Sequence, residues 1–266
     1  MSEARGRVLV IAGSDSGGGA GIQADIKAIT ALGGYAATAI TAITVQNTLG
    51  VHDIHLLPAA LVDAQARAVL DDIGADAIKI GMLGDEQMIE AIAALLADYP
   101  GIPVVLDPVM TAKGGRTLLE GAPASIYQHL LPRATLLTPN APEAGVLTGL
   151  KVETIDDLCQ AGAFLIAAGV AAVLMKGGHI AGDDVIDVLL TPGAETRFTS
   201  LRVASRHTHG TGCTLASACA VGLAQGMPLE DAVRRAHAYT AEAIRRAPGF
   251  GAGHGPIDHG WPVRGP

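Results

Sequence analysis

Continuous runs of apolar residues alternate with helix-like segments along most of this chain. The first run, RVLVIA at positions 7–12, ends directly in a glycine-rich turn. Apolar strands separated by helices are typical of a mostly parallel sheet that is covered on both faces. The alternation therefore predicts an α/β fold, an α/β/α sandwich with helices on both faces of its central sheet. We expect one domain over residues 1–266.

The predicted boundaries follow from where each pattern begins and ends. Strands are predicted at 7–12, 35–45, 51–57, 77–80, 104–106, 135–137 and 171–175, followed by a hairpin of strands at 185–190 and 196–203. Helices are predicted at 20–32, 59–73, 85–97, near 122–131, and at 141–147, 155–168, 214–224 and 229–246. Residues 248–266 are rich in Gly and Pro, and we expect them to form a loosely packed tail.

Composition and charge exclude several classes of function. The chain is 49% hydrophobic and 17% charged, which is too apolar for intrinsic disorder. Its formal net charge of −8 disfavours nucleic acid and anionic membranes as partners. Three cysteines without a CxxC pair argue against a disulfide framework or a zinc ribbon. The apolar run near the start is too short for a membrane span, so we expect a soluble cytoplasmic protein.

The unusual residues follow the predicted strands, where ligands bind in open α/β sheets. Five glycines lie within residues 13–21, and they permit positive φ angles and the close approach of a ligand. This segment lacks the Walker A and Rossmann signatures, and a tight strand–helix turn explains it as well as a binding loop does. Asp25, in the helix that follows, is either solvated or faces the pocket.

Gln46, Asn47 and Met82 also follow strands. The amide of Gln46 offers a donor and an acceptor side by side, which matches the edge of an aminopyrimidine, although an amide at a strand end more often caps a turn. Met82 is either an adaptable apolar wall for a flat ring or an ordinary core residue.

Acidic and amide side chains follow two further strands. Asp107 precedes a proline that fixes an extended exit from the strand, and a carboxylate in this place suits hydrated Mg²⁺. Asn140 and Glu143 have the spacing of a helix capping box, and alternatively they lie near Mg²⁺ and phosphates behind Asp107. Residues 113–115, Lys-Gly-Gly, are predicted to form a mobile flap.

A lysine and a second glycine-rich segment complete the set. Lys176 directly follows an apolar run and could bind a phosphate, with a solvated lysine as the alternative. In the segment 209–214, HGTGCT, two glycines free backbone N–H groups at a helix N-terminus to bind an anion. Cys213 lies at that terminus, where the pKa of a thiol tends to fall, and we favour a functional role for it.

Six ordered motifs carry a resemblance to a known family. They are AGSDSGGGAG at 12–21, GML at 81–83, DPVM at 107–110, TPN at 138–140, KGGH at 176–179 and HGTGCT at 209–214. Together they resemble the ribokinase superfamily, specifically its branch of hydroxymethylpyrimidine/phosphomethylpyrimidine kinases, from about Val8 to Trp261. Each motif is modest evidence, but six in order are poorly explained by chance. Sugar kinases of the superfamily usually have Asp where this chain has Cys213, and the Cys variant resembles pyrimidine and some pyridoxal kinases.

The resemblance implies a ribokinase-like fold, ATP and Mg²⁺ as cofactors, and commonly a homodimer. The implied reaction is phosphorylation of 4-amino-5-hydroxymethyl-2-methylpyrimidine and then of its monophosphate, in thiamine biosynthesis. The implied pyrimidine site consists of Gly13, Ala20, Asp25, Gln46, Met82 and Val109. The implied ATP-binding residues are Lys176, His209, Thr211 and Gly212, and the implied catalytic residues are Cys213, Gly210, Gly212 and Lys176. Magnesium is implied near Asp107, Asn140 and Glu143.

Two roles stay open within this family. Cys213 is either a general base for the hydroxyl group or an orienting group beside the anion site. Arg206 and His207 stand where relatives more often carry a small amide or acid, and they could alter nucleotide contacts.

Three other functions compete with the pyrimidine kinase. A pyridoxal kinase would use the same site, and because the two rings differ in their hydrogen-bonding edges, the relative kcat/KM values for the two substrates would distinguish the two enzymes. A Cys–His hydrolase would use Cys213 and His209, although the glycines between them suit phosphate binding better. A non-catalytic pyrimidine sensor is disfavoured by Asp107, Lys176 and the glycines of 210–212.

Overall fold

The computed structural model describes residues 6–111 and 125–264, and nine strands within them form one sheet. The strands are β1 (Arg7–Asp15), β2 (Tyr35–Asn47), β3 (Gly50–Leu56), β4 (Ala77–Ile80), β5 (Val104–Leu106), β6 (Leu136–Leu137), β7 (Val173–Met175), β8 (Asp184–Thr191) and β9 (Ala194–Leu201). Their order is β3-β2-β1-β4-β5-β6-β7-β8-β9. The six central strands are parallel, and β3, β8 and β9 pair antiparallel with their neighbours.

Seven α-helices within the described ranges connect and flank these strands. They are α1 (Gly21–Ala31), α2 (Ala59–Asp72), α3 (Glu86–Asp98), α4 (Ala141–Thr148), α5 (Ile155–Ala167), α6 (Thr211–Ala224) and α7 (Leu229–Arg245). Short helical turns occur at Ile126–Leu130, Leu131–Arg133, Gly177–His179 and Trp261–Val263. The predicted α/β fold class is confirmed. The helix predicted near 122–131 is described only as the first two of these turns, and the predicted flap at 113–115 lies outside the described residues.

Alternation along β1 gives the sheet its two hydrophobic faces. Leu9 and Ile11 pack in one core with residues of α2, α3 and α5, while Val8 and Val10 pack in a second core with residues of α1, α6 and α7. Burial on both faces explains why β1 reads as a continuous apolar run. Since the chain has few aromatic residues, aliphatic side chains and alanines fill both cores.

The connections place a crevice at the carboxyl ends of the parallel strands. Strand β1 lies between β2 and β4, so β2 and β3 are added on one side of β1 and the later strands on the other side. The strand order therefore reverses at β1. Ligands bind at such switch points in open α/β sheets. Strand β1 continues to Asp15 and α6 begins at Thr211, so both glycine-rich segments are more regular than the sequence predicted.

The segment after α7 is packed against the molecule. Ile257 and His259 are 2% and 4% exposed, and the N–H of Asp258 donates to the carbonyl of Ala243 at 2.9 Å. The expectation of a loosely packed tail is therefore wrong for these residues. No helix within 6–111 or 125–264 combines the length and the hydrophobicity needed to cross a bilayer.

Candidate active site

A cavity of about 690 Å³ opens at the carboxyl edge of the parallel strands. The ends of β1, β4, β5 and β7 and the start of α6 contribute to its lining. All but one of the predicted site residues line it, namely Gly13, Ala20, Gln46, Met82, Asp107, Val109, Asn140, Glu143, Lys176, His209, Gly210, Thr211, Gly212 and Cys213. The exception is Asp25.

The first glycine-rich loop is held together by Asp15, which ends β1. Its Oδ1 accepts the N–H of Gly17 at 2.7 Å, and its Oδ2 accepts the N–H groups of Gly19 at 3.0 Å and Ala20 at 2.8 Å. The Nε2 of His209 lies 3.0 Å from the same Oδ2. Burial acts to raise the pKa of Asp15, but these hydrogen bonds outweigh it and keep the pKa below its usual value. Asp15 thus joins the loop to the segment before α6.

The orientation of the Gln46 amide follows from its neighbours. Thr44 Oγ1 lies 2.9 Å from the carbonyl oxygen of Ser14 and 3.2 Å from the Gln46 amide. A carbonyl only accepts, so the hydroxyl proton goes to Ser14, and Thr44 accepts from the amide –NH₂. The other end of the amide lies 3.0 Å from His209 Nε2, which donates to the carboxylate of Asp15. The structure places Gln46 Oε1 beside Thr44 and Gln46 Nε2 beside His209. Because amide oxygen and nitrogen are assigned from their hydrogen-bond network, we exchange the two, so that the amide –NH₂ faces Thr44 and the amide oxygen shares the Nε2 proton of His209 with Asp15.

Asp25 belongs to a buried ion pair beneath the cavity. Its Oδ2 lies 3.0 Å from Lys79 Nζ, both side chains are fully buried, and its Oδ1 accepts from Ser217 Oγ at 2.7 Å. The expectation that Asp25 is solvated or faces the pocket is wrong, because its whole side chain is used by these two partners. Burial opposes the charged form of Lys79, yet the nearby negative charges, that of Asp25 first, raise the pKa of Lys79 above its usual value.

Lys79 itself lines the cavity and was missed by the sequence analysis. The sequence contains a pattern that indicates this role, because a lysine within the short apolar strand 77–80 needs a buried partner.

Lys176 is held by two carboxylates where β5, β7 and α4 meet. Its Nζ lies 2.8 Å from Asp107 Oδ1 and 3.7 Å from Glu143 Oε2. The hydroxyl of Thr138 lies 3.2 Å from the same Asp107 Oδ1. Burial acts to lower the pKa of Lys176, but the charges of Asp107 and Glu143 raise it above its usual value. The ammonium group is therefore charged and already compensated.

Asn140 and Glu143 form the capping box of α4. Asn140 Oδ1 accepts the N–H of Glu143 at 2.9 Å, and Glu143 Oε2 accepts the N–H of Asn140 at 2.8 Å. The capping interpretation is thus confirmed by the geometry, and Glu143 also faces Lys176. Burial raises the pKa of Glu143 to about 7, with Lys176 opposing the rise and Asp107 adding to it. The carboxyl group of Glu143 therefore gains or loses its proton near neutral pH.

The donor set fits a magnesium ion that arrives with phosphates. Within the described residues, no cluster of three or more His, Cys, Asp or Glu side chains forms a ready metal cage. In sites that bind nucleotide phosphates, Mg²⁺ keeps several waters and takes only one or two protein carboxylates. Asp107 meets that requirement, because its contacts with Lys176 and Thr138 both use Oδ1 and neither uses Oδ2, which could therefore bind the ion.

The segment before α6 lies directly against this charged cluster. Gly210 has φ of +80°, and a Cβ there would lie 1.7 Å from the carbonyl oxygen of Gly19, so only glycine fits. A Cβ on Gly212 would lie 3.2 Å from Lys176 Nζ and 3.8 Å from Asp107 Oδ2. The free N–H groups and positive dipole of α6 therefore converge with Lys176 on one point, which forms an anion site.

Cys213 lines the cavity as a half-buried thiol. Burial raises its pKa to about 12; the charge of Lys79 opposes this rise, and the charges of Asp25 and Asp107 add to it. The expectation that the helix N-terminus lowers this pKa is therefore wrong. Cys213 carries its proton at neutral pH.

Arg206 and His207 do not line the cavity. His207 instead packs against Gly255 in the segment after α7. The expectation that these two residues alter nucleotide contacts is not supported by direct contact with the cavity.

One edge of this sheet carries a lysine paired with acids, an acid at a strand end and a helix N-terminus that binds anions. This fold and site define a phosphotransferase with a ribokinase-like fold. The family model for phosphomethylpyrimidine kinase matches residues 15–258. The chain belongs to this family.

Individual relatives and solved structures are similar to this chain over most of its length. A hydroxymethylpyrimidine/phosphomethylpyrimidine kinase of Streptomyces coelicolor is 49% identical over 256 residues, which cover 96% of this chain and 94% of the relative. A thiamine biosynthesis bifunctional protein of Geobacter sulfurreducens is 50% identical over 256 residues, and the match spans 96% of this chain but only 52% of that protein. The solved structure of the pyridoxal kinase from Staphylococcus aureus with AMP-PCP and pyridoxal has a TM-score of 0.89 and 35% identity, with coverage of 97% and 94%.

Family membership confirms the predicted enzyme class and cofactors. The chain is an ATP-dependent kinase that phosphorylates 4-amino-5-hydroxymethyl-2-methylpyrimidine and then its monophosphate, in thiamine biosynthesis. ATP is the phosphoryl donor, with Mg²⁺ as its usual partner.

Proposed function

We propose that the pyrimidine binds against Gln46 and that ATP extends from Lys176 toward the β8–β9 hairpin. The observation that carries this proposal is the convergence of Lys176, Asp107 and the start of α6 in the same cavity as Gln46. We also place the reaction in the cytoplasm, where ATP is available.

The assigned amide orientation determines how the ring lies. The –NH₂ of Gln46, on the side of Thr44, donates to a ring nitrogen, and its oxygen, on the side of His209, accepts from the 4-amino group. The exocyclic amine therefore points toward His209. Met82 and Val109, which also line the cavity, form the apolar walls of this end.

The phosphoryl group is transferred where the charged cluster lies. Lys176 exchanges its contact with Asp107 for phosphate oxygens, and the N–H groups of α6 stabilise the charge that develops on the transferred group. Asp107 would hold Mg²⁺, with Glu143 behind it, and the ion would supply charge neutralisation on the phosphates. Asp25 acts on this site only through Lys79, so it is a positioning residue.

Cys213 acts best as an orienting group. Since its pKa is raised to about 12, the thiol is a hydrogen-bond partner for the hydroxymethyl oxygen rather than a ready base. A loose phosphoryl-transfer transition state depends mainly on positioning and charge stabilisation, so a strong base is not required. The same raised pKa argues against a Cys–His hydrolase, which needs a thiolate.

A coupled ATP-consumption assay tests this proposal. Hydroxymethylpyrimidine, its monophosphate and pyridoxal are compared in parallel by kcat/KM. We expect both pyrimidines to be preferred, because Gln46 matches an amino group beside a ring nitrogen. The variant Q46L, which removes both ends of the amide, should erase most of that preference. A higher kcat/KM for pyridoxal would overturn the assignment in favour of a pyridoxal kinase, the activity of the similar structure from S. aureus.

A second copy of this chain is the partner that we propose for the β2–β3 hairpin. Ile43 and Val45 of β2 and Leu49 of the turn are 50%, 56% and 68% exposed. Apolar clusters of this kind commonly mark protein interfaces. Light scattering should show a dimer, and V45E should shift it to a monomer while F164E, at exposed Phe164 of α5, should not. A monomeric parent protein would contradict this proposal.

A further inference from the structure

The end of the cavity farthest from Gln46 along the sheet is walled by the β8–β9 hairpin and α7. Its lining is largely apolar and includes Val185, Leu201, Val203, Leu215 and Ile244. Two polar residues of α7 also line it, His237 and Thr240, which are 9% and 5% exposed. Within the described residues, neither His237 Nε2 nor Thr240 Oγ1 has a hydrogen-bond partner. Buried polar atoms are costly without a partner, so a ligand that fills this end should supply one.

The tautomer of His237 is set by Asp187. His237 Nδ1 lies 2.8 Å from Asp187 Oδ2, and a carboxylate can only accept, so Nδ1 carries the proton. In the neutral ring Nε2 is then an acceptor. Asp187 is fixed in turn, because its Oδ1 accepts the N–H of Gly177 at 2.9 Å, directly beside Lys176. Whenever the ring is neutral, Nε2 is therefore held as an acceptor by the contacts of Asp187.

We propose that His237 selects the nucleobase of the phosphoryl donor by accepting a hydrogen bond from the 6-amino group of adenine. Thr240 contributes the neighbouring contact to the same base, and Asp187 is the positioning residue that fixes the tautomer. The proposal rests on ATP binding in this cavity with its phosphates at Lys176. A purine with an oxygen at position 6 presents an acceptor to an acceptor, so the site discriminates against it.

Inosine nucleotides provide the sharpest probe, since hypoxanthine has a 6-oxo group where adenine has a 6-amino group. Calorimetry compares Mg-ADP with Mg-IDP binding, without a pyrimidine, and a parallel assay compares ATP with ITP. We expect ADP to bind about tenfold to a hundredfold more tightly. Because binding is measured without turnover, loss of activity with pyrimidines would disprove the proposed function but not this inference. Equal affinity for ADP and IDP would overturn the inference.

The variant D187N tests the positioning role. The introduced amide must keep its oxygen toward the N–H of Gly177, so its –NH₂ faces His237 Nδ1, and the ring proton moves to Nε2. We expect the ADP preference to disappear or to reverse toward IDP. D184N, at exposed Asp184 of the same strand, is the matched control and should keep the parent preference.

The variant H237F provides an independent readout if D187N does not fold. Phenylalanine retains an aromatic ring against Phe198, whose ring centroid lies 6.2 Å from that of His237, but it has no acceptor. We expect ADP affinity to fall to the level of IDP. A D187N or H237F protein that weakens both nucleotides in equal proportion would show a purely structural role and overturn the proposal.

Discussion

Lys79 and Lys176 both reach the cavity, and each is held by a carboxylate behind it. Burying a charge without a partner costs several kcal/mol, so each lysine depends on its acid for its protonation state and its position. The acids differ in what they can do next. Asp25 is enclosed between Lys79 and Ser217, whereas Asp107 lines the cavity and is able to change partners.

Replacing Cys213 by alanine should lower kcat by on the order of 10²-fold, with a much smaller change in KM for the pyrimidine. The reason is that the thiol orients the attacking hydroxyl group more than it binds the ring. Steady-state kinetics check this, with C219A as the control, because Cys219 lies in the same helix but does not line the cavity. Near-normal turnover of C213A would contradict a catalytic role, and strong activity of C213D would favour the base role instead.

Glu143 should make the folded state less stable as the pH rises. Its pKa is raised to about 7 from a usual 4.5, so between these values the folded state binds more protons than the unfolded state. The free energy of unfolding therefore falls across this window relative to that of E143Q. Urea titrations at several pH values check this, and glutamine is the suitable comparison because it can preserve the capping box. A constant difference between the two proteins from pH 4.5 to 7 would contradict the raised pKa.

Helix α6 depends on a start that only glycine allows. Gly210 has φ of +80° and no room for a Cβ, whereas Gly193, in the β8–β9 turn, has φ of +82° and no heavy atom within 4 Å of that position. The two residues therefore separate backbone conformation from steric contact.

G193A should cost about 1–2 kcal/mol in stability and leave kcat unchanged, since only the left-handed conformation is penalised. G210A should cost more and abolish most activity, because the first glycine-rich loop and the start of α6 must separate. Thermal unfolding and steady-state kinetics check both variants. Equal effects of the two variants on kcat would contradict the steric argument.

The elements themselves were largely predictable from the sequence, whereas several contacts of the site were not. The apolar run of β1 and the capping box at Asn140 are local patterns, and each appears where it was predicted. The role of Asp15 was missed, because it depends on His209, which is 194 residues away in sequence. The raised pKa of Cys213 was also missed, since it depends on burial and on the carboxylates of Asp25, in α1, and Asp107, directly after β5.

At the scale of the whole molecule, the segment after α7 connects the two glycine-rich segments to the rest of the fold. The N–H of His209 donates to the carbonyl of Gly255 at 3.1 Å, and Tyr239 OH donates to the carbonyl of His259 at 2.6 Å. Trp261 stacks on Tyr239 with ring centroids 6.0 Å apart. We propose that the chain is one domain in which this segment unfolds together with the sheet.

One cooperative transition should therefore be seen on heating or in urea. Trp261 is the only tryptophan in the sequence, so its fluorescence reports on the C-terminal segment while far-ultraviolet circular dichroism reports on the helices and sheet. We expect the two midpoints to coincide. An earlier fluorescence transition would show that the segment detaches on its own.

The contact between Lys176 and Asp107 has a thermodynamic consequence for the order of binding. A nucleotide bound without its metal would pair with Lys176 and leave Asp107 without a counterion, and a metal bound alone would leave Lys176 with only Glu143, whose Oε2 lies 3.7 Å away. When both are bound, the nucleotide would pair with Lys176 and the metal with Asp107, so that neither charge is left uncompensated. Nucleotide and metal should therefore bind with positive linkage, each tightening the other by the same factor. In D107N this mutual tightening should be lost. The variant enzyme should then bind the nucleotide with similar affinity whether or not Mg²⁺ accompanies it.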